Sequence, residues 1–543
     1  MAKRTRYALF SVSDKTGLPE FAKRLVSMDQ INWQIYASGG TAKALKAAGF
    51  EVIDVSVLVG GDSILGHRVV TISRELAAGL LADKLSADDM RELMELNIPL
   101  LDMVVCDFYP LKDAIAKPDA TIESVVKDTD IGGPNMVRAG AKGLRIVLCR
   151  HKDWEPVLHE LEQRGEVSPE TRQSLRAIAE FVVAGYVMDS ARFHGKGRFE
   201  GFLGERVGEG FKGENGPQGP AFLYSYGTDD PLALDKFQVD GNPGFVNRTD
   251  IDRLLVTLTH IAAAWKLNFG YVPRIAVAVK HGNPCGAAVG RNAAEVVRKM
   301  VTGDTLAVFG GWVMCNFPVT KKLAEVMVTT WMKKGKSRKL DGVVAPAFGD
   351  GVADLFKRRK RPCLLVTNPA LETHSDFLDP GPKIRQVRGG FIKQGNYNFV
   401  LDLVHGHPDM KVFGGRTSRR HVQDLLLAWA VCATSNSNTI TIVKDGMLIG
   451  NGVGQQARVW AAKLARMRAR DAKHKDLLRG ASGCSDSFFP FTDGPRLLIR
   501  AGVKCIFSTS GSDNDDKVQA LCVRKGVTLV QLPDSLARGF FGH

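Results

Sequence analysis

Between Tyr7 and Ser56 short apolar runs alternate with amphipathic segments, and this alternation restricts the fold more than any other feature of the chain. "YALFSV" reads as a strand, "SDKTG" as a loop and "LPEFAKRLVSM" as an amphipathic helix. "NWQIYA", "SGGT" and "AKALKAAG" repeat the cycle, and "EVIDVS" begins it again. A strand, a helix and a further strand predict a parallel sheet covered on both faces, because parallel neighbours need a crossover. "LDMVVCDF" and "LRIVLC" predict two more buried strands, and two long helices are expected around "RQSLRAIAEFVVAGYVMDSARF".

Composition then changes. Residues 195–219, "GKGRFEGFLGERVGEGFKGENGPQG", are Gly-rich and poor in apolar side chains, which predicts a connection between a domain at 1–194 and a second region at 220–543. The second region has its own apolar elements: "RIAVAVK", "DGVVAPA", "CLLVT", "TITIVKDGMLIGNG", "KCIFS" and "VTLVQL". Helices are expected at "IDRLLVTLTHIAAAWKL" and "GQQARVWAAKLARMRAR". No short repeat is visible.

The net charge of +15 points to anionic partners. Much of the excess sits in "KKGKSRK" (333–339), "KRRKR" (357–361) and "RMRARDAKHK" (466–475), runs that also suit solvated faces. No aromatic residues interleave them for stacking on bases, so small anionic substrates are expected rather than nucleic acid. The nine cysteines show neither Cys-x-x-Cys pairs nor metal-ligand spacing, which suits a reducing compartment without a metal. The apolar run near the start is too short for a signal-peptide core and is interrupted by Asp14 and Lys15, and no long uncharged stretch reads as a membrane span. The expected location is the cytoplasm.

Several stretches carry groups suited to chemistry. Ser13, Lys15 and Thr16 in "SVSDKTG", with Ser38, Gly39, Gly40 and Thr41 in "ASGGTAKAL", match a phosphate cradle, since glycines admit an anion to backbone N–H groups at a helix start. A plain strand–helix turn with a Thr cap fits the second stretch as well. In "DTDIGGPNMVRAGAKG", Asp130 precedes a Gly-Gly-Pro turn, and Arg138 and Lys142 fall one helical turn apart. That set suits an anionic substrate, or a structural Asp cap beside a solvated cationic face. In "IAVAVKHGNPCGAAVG", Lys280 and His281 end an apolar strand at a Gly-Asn-Pro turn that lets both face one cavity. A histidine suits proton abstraction and a neighbouring cation stabilises developing negative charge. The alternative is a core histidine with a lysine at the strand end. Asn438 and Arg458 flank the Gly-rich turn of "SNSNTITIVKDGMLIGNGVGQQARV", and "SDSFFPFTDG" fits either a ligand pocket or a Phe cluster.

Taken in order, "SVSDKTG", "SGGTA", "DFYPL", "DIGGPNMVRAGAK", "VKHGNPCGAA", "VFGG", "DGVVAP", "GVGQQARV", "SDSFFPF" and "TSGS" closely resemble the bifunctional purine-biosynthesis family that joins aminoimidazole-carboxamide ribonucleotide (AICAR) formyltransferase to inosine monophosphate (IMP) cyclohydrolase. The resemblance spans nearly the whole chain. It implies an α/β protein with a methylglyoxal-synthase-like parallel-sheet domain, then a formyltransferase half of two cytidine-deaminase-like subdomains without zinc. It also implies a homodimer that takes a nucleotide and 10-formyltetrahydrofolate as co-substrate. By the same resemblance His281 takes the amine proton, Lys280 stabilises the tetrahedral intermediate and Asn438 orients the histidine and carboxamide. Asp341 meets the folate ring system, and Arg458 lies on the folate side. Tyr109, Asp130 and Lys142 match cyclohydrolase positions, with Arg138 beside them.

Two departures stand out. Where the family carries a stretch like "GRVKTLHPKVHGG", residues 67–79 read "HRVVTISRELAAG": Val70 replaces a lysine, Ser73 and Ala77 replace histidines and Glu75 replaces a second lysine. This predicts a weak cyclohydrolase. The family motif "LRYGENPHQ" survives only as "YSYGTDDPL", keeping Tyr226 and Gly227 but placing Ser225 where an arginine holds the nucleotide phosphate. Lys393, in "GGFIKQGNYN", is the expected substitute. Three readings follow: a formyltransferase with a weak cyclohydrolase, a fully bifunctional enzyme, and a relative that binds nucleotide or folate with little turnover.

Overall fold

The computed structural model describes residues 4–65, 69–357 and 362–542. His67 and Arg68 of the departing stretch, and residues 358–361 of the "KRRKR" run, lie outside them. The chain divides into units 1–203 and 204–543.

The first unit is built on five strands, β1 (Arg4–Ser11), β2 (Ile31–Ala37), β3 (Ile53–Asp54), β4 (Leu101–Cys106) and β5 (Ile146–Leu148), all parallel in the order β3-β2-β1-β4-β5. The central strands are apolar at successive positions because both faces are covered. Phe10 and Val105 join Phe21, Leu25 and Trp33 in one cluster, while Leu9 and Val104 join Leu76, Met136 and Val137 in another. Where two long helices are expected, a single helix spans Pro169–His194, capped by the Ser168 hydroxyl on the Thr171 N–H and started by Pro169. Gly185 inside it costs only about 1 kcal/mol, too little to divide it.

In the second unit the Gly-rich stretch is not purely connecting: it holds β6 (Glu205–Phe211), which forms a ribbon with β7 (Ala221–Ser225). Few apolar residues suffice, because the ribbon is stabilised by Arg248 stacked 4.4 Å from the buried Phe211 ring and Arg206 5.0 Å from Phe222. A short strand β8 (Gln238–Val239) follows. Then come the helix Phe245–Phe269, the hairpin β9 (Arg274–Lys280) and β10 (Asn283–Gly290), the helix Ala293–Thr302, and β11 (Trp312–Cys315), β12 (Gly342–Ala345) and β13 (Leu364–Thr367), separated by helices. After a ribbon of β14 (Pro382–Val387) and β15 (Gly390–Gly395), and β16 (Lys411–Phe413), the same series recurs. The helix Arg419–Ala433 precedes the hairpin β17 (Ile440–Lys444) and β18 (Met447–Gly452), then the helix Arg458–Asp471, β19 (Ser482–Ser485), β20 (Cys505–Ser510) and β21 (Thr528–Pro533).

Both halves therefore run helix, antiparallel hairpin, then three strands of which the last two pairings are parallel. They join edge to edge through β10 and β18 in one twelve-stranded sheet. The helices Phe245–Phe269 and Arg419–Ala433 cover one face together, through Leu258, Trp265, Leu426 and Trp429 on Val277, Val279 and Leu448. The other face carries one apolar cluster per half. All nine cysteines are buried and free of disulfides.

Candidate functional site

In the second unit the strand "RIAVAVK" stops because His281 and Gly282 take φ of +52° and +70°, and these two left-handed residues reverse the chain at once. Glycine does this freely, whereas histidine does so uncommonly. Asn283 and Pro284, expected in the turn, therefore begin strand β10, with Asn283 opposite Lys280. His281 is exposed at the tip and Lys280 is half-buried.

The Lys280 Nζ donates to the Phe309 carbonyl at 2.7 Å, and "VFGG" lies along its stem: a Cβ on Gly310 would come 3.8 Å from Nζ. Gly311 in turn accepts the Asp341 N–H at 3.0 Å. Sheet register thus brings Lys280, Gly310, Gly311 and the exposed Asp341 to adjacent strand ends.

The "SNSN" loop, from the other half, joins them. The Asn436 N–H donates to Asn283 Oδ1 at 3.2 Å. Asn438 donates Nδ2 to the Gln455 and Gln456 carbonyls at 2.9 and 3.3 Å and accepts from Arg458 Nη2 at 2.7 Å, which fixes its amide. Arg458 is not an open cation. Its side chain, 10% exposed, donates to Ser485 Oγ at 2.8 Å and pairs with the fully buried Asp486. Asp486 also accepts from Ser437 Oγ at 2.7 Å and the Thr439 N–H at 3.0 Å. "SDSFFPF" contributes both kinds of group that its composition allows: Phe489 is core, while Ser485 and Asp486 hold Arg458.

Tyr226 and Gly227 are exposed just beyond β7. Ser225 Oγ donates to Asp235 Oδ2 at 2.7 Å and accepts the Gly227 N–H at 3.0 Å, so the residue in the arginine's place serves its own loop. Lys393 lies on the exposed β14–β15 ribbon, opposite Ile384. A separate cavity of about 470 Å³, lined by Trp265, Tyr271, Arg291, Arg419, Arg420 and Asp424, opens beside Gly290, at the far end of β10 from Asn283. Its polar groups largely answer one another: Arg420 pairs with Asp445, and Asp424 accepts the Asp445 and Gly446 N–H groups.

In the first unit the expected groups other than Arg138 and Lys142 gather at the carboxyl ends of parallel strands, the usual position for ligands in such sheets. The two proposed halves of a phosphate cradle differ. In "SDKTG", Asp107 takes the N–H groups of Ser13 and Asp14, and Asp14 takes the Thr16 N–H and hydroxyl. Lys15 Nζ folds back onto the Val12 and Ser13 carbonyls at 2.7 and 3.2 Å. In "SGGT", Gly39 and Gly40 begin a helix with open space where a Cβ would stand, beside Ser38, whose Oγ lies 3.1 Å from Ser11 Oγ. Thr41 is buried and ties β1 to this helix through the Val12 N–H and carbonyl.

Tyr109 and Asp130 are brought together: the N–H groups of Tyr109 and Gly133 donate to the Asp130 carboxylate. Burial pushes this carboxyl above the usual range against those bonds, and burial then the Asp130 charge raise the Tyr109 phenol. Gly132 and Gly133 permit the packing, since Cβ atoms there would meet Thr71 Oγ1 at 2.4 Å and Asp130 Oδ2 at 2.6 Å. Lys142 is not gathered with them. It ends the helix Gly132–Lys142, roughly 15 Å from Gly132 at 1.5 Å per residue, and is exposed. Arg138, one turn before it, pairs with Glu180 at 3.3 Å. Two residues at this edge escaped the sequence reading: Asp107, and His151, whose ring nitrogens lie 3.8 Å from Asp14 and Asp107 carboxylate oxygens. Asp107 directly follows β4 and His151 comes three residues after β5, and a place just past an apolar strand is the signal that would have found them.

Among the described residues no group of three or more His, Cys, Asp or Glu side chains could hold a metal ion, and no helix is long and apolar enough to cross a membrane.

The family model described as "AICARFT/IMPCHase bienzyme" matches residues 142–468, and that of the MGS-like domain matches residues 17–135. Among similar proteins, the Bifunctional purine biosynthesis protein PurH of Chlorobium phaeobacteroides (strain BS1) is 31% identical, covering 96% of this chain and 97% of its own. That of Thermoanaerobacter sp. (strain X514) is 31% identical, covering 98% of each. A solved structure titled "Crystal structure of ForH" is 30% identical, covering 36% of this chain and 100% of its own, with a TM-score of 0.32.

Proposed function

The chain belongs to the AICARFT/IMPCHase bienzyme family, and on that premise we propose that it transfers formyl from 10-formyltetrahydrofolate to the 5-amino group of AICAR, with a weak IMP cyclohydrolase attached. The observation that carries this reading is the meeting of "KHGNPCG", "VFGG", Asp341 and the "SNSN" loop at one set of strand ends.

The AICAR amine is a poor nucleophile, because its lone pair is delocalised into the imidazole and carboxamide. His281, exposed at its turn, takes the proton as nitrogen attacks the formyl carbon. Lys280 spends one of its three N–H donors on Phe309 and offers the others to the oxygen that gains charge. The bond to folate nitrogen then breaks, that nitrogen leaves with a proton, and formyl-AICAR remains. Asn438 orients the reacting groups. Arg458 acts on the folate side through its hold on Asn438, and Asp341 faces the folate ring system. In the first unit, Gly39 and Gly40 offer N–H groups to the nucleotide phosphate, and Tyr109 with Asp130 forms what remains of the ring-closing site. The nine buried thiols fit a reducing cytoplasm, and a homodimer follows the family pattern.

Incubating the purified chain with AICAR and 10-formyltetrahydrofolate tests the reading. Accumulating formyl-AICAR supports it, rapid IMP formation favours a fully bifunctional enzyme, and no turnover favours a binding protein. With Ser225 committed to Asp235, Lys393 is the proposed phosphate cation. Lys393→Ala then raises the AICAR KM several-fold, since ground-state binding is what such a contact supplies, and leaves the folate KM nearly unchanged. Steady-state kinetics in each substrate checks this, and an unchanged AICAR KM discards Lys393.

A further inference from the structure

One buried carboxylate holds the turn that carries His281. Asp250, on the helix Phe245–Phe269, is 5% exposed and accepts the Gly282 N–H at 2.7 Å. The His281 N–H also donates to it, and these bonds partly offset a burial that pushes the carboxyl above its usual range. Successive N–H groups of residues in such turns form a concave seat for an anion, filled here by the protein's own side chain. His281 holds a backbone conformation that a non-glycine residue keeps only when its surroundings over-determine it.

The same helix face grips the second loop. One turn on from Asp250, Arg253 donates Nη2 to the Thr434 carbonyl at 2.8 Å and to Asn436 Oδ1 at 3.1 Å. Asn436 in turn donates its N–H to Asn283. Asp250 and Arg253 thus tie the "KHGNPCG" and "SNSN" loops to one rigid element.

Resting on the formyltransferase reading, we propose that Asp250 is a positioning residue for that reaction: its carboxylate, seated on the N–H groups of His281 and Gly282, aims the imidazole at the attacking amine. The amide of Asp250→Asn keeps one good acceptor and turns a donor toward the turn, so the turn relaxes while the fold persists. A misplacement of about 1 Å in a reacting group costs about 10²-fold.

The experiment is a cycle in the full-length chain with wild type, Asp250→Asn, His281→Ala and the double variant. Asp250→Asn lowers kcat by about 10²-fold and leaves the AICAR KM within about threefold, as expected for a group acting on the transition state. The double variant is no slower than His281→Ala, because the base that Asp250 aims is already gone. A merely structural role would instead multiply the two losses. Gly282→Ala repeats the test without touching the carboxylate, and covers the case in which Asp250→Asn does not fold. Its Cβ has room, with Arg253 Cγ nearest at 3.9 Å, but the φ of +70° strains any side chain. Its kcat falls, and again the fall vanishes in the His281→Ala background. Near-wild-type kcat in these variants, or multiplied losses, overturns the role of Asp250. Near-wild-type kcat in His281→Ala overturns the base itself and Asp250 with it.

Discussion

Replacing His281 with alanine lowers formyl transfer by about 10²–10⁴-fold, roughly 3–5 kcal/mol of transition-state stabilisation, the range for a positioned general base. AICAR binding weakens far less, because the proton moves only as the amine attacks. Turnover under saturating substrates and calorimetric AICAR binding to the same preparations separate the two effects. The left-handed backbone at this position adds a control, since alanine tolerates φ of +52° poorly while asparagine is among the few residues that accept it. His281→Asn therefore keeps the turn and loses the base. If the base matters, both variants lose activity alike. If His281→Asn regains most of the rate, the loss in His281→Ala belongs to the backbone. Near-wild-type turnover in both removes His281 from the mechanism.

The parallel sheet of the first unit was legible because strands buried on both faces must be apolar at successive positions, as Ala8, Leu9 and Phe10 are. Strand β10 was not, since Pro284 and Gly286 mark turns in most contexts. Here Gly286 is in a strand because a Cβ would come 2.3 Å from the Met300 carbonyl oxygen of a packed helix. The two like halves of the second unit follow from the family resemblance but leave no visible repeat in the sequence, for a related reason: covering a sheet requires apolar faces in the right places and not the same residues twice. Candidate site residues within local motifs, such as Lys280–His281 and "SGGT", could be named from spacing. The partners that groups meet across the fold could not. Arg458 meets Asp486 only through the pairing of β17 with β19, and Asp250 meets Gly282 only because a helix packs under a hairpin. The same limit made Lys142 look like a neighbour of Asp130, when a whole helix separates them.

The wild-type chain closes the ring of formyl-AICAR about 10²–10³-fold more slowly than an enzyme with a cation at position 70, a deficit of roughly 3–4 kcal/mol. Ring closure puts charge on the formyl oxygen as the carboxamide nitrogen attacks, and Val70 offers no donor there. The position is well placed: Thr71, the next residue, packs on Gly132 at the turn beginning with Asp130, and Val70 itself is half-buried against the apolar cluster on which Phe108 also packs. A lysine stem can lie along that surface while its ammonium reaches the polar edge. Val70→Lys then raises ring closure measurably and leaves formyl transfer unchanged. The gain stays below the full 10²–10³, because the neighbouring replacements have taken other work. Ser73 now caps the helix Arg74–Leu81 through the Leu76 N–H, and Glu75 sits in its first turn, where a negative charge suits the helix dipole. Neither holds a lysine in line with the substrate. Ring closure from purified formyl-AICAR, followed as IMP appears for both proteins, is the measurement. A wild type that turns over at ordinary enzymatic rates of roughly 1–10³ s⁻¹ would show that this pocket closes the ring without the missing cation, whatever the variant does.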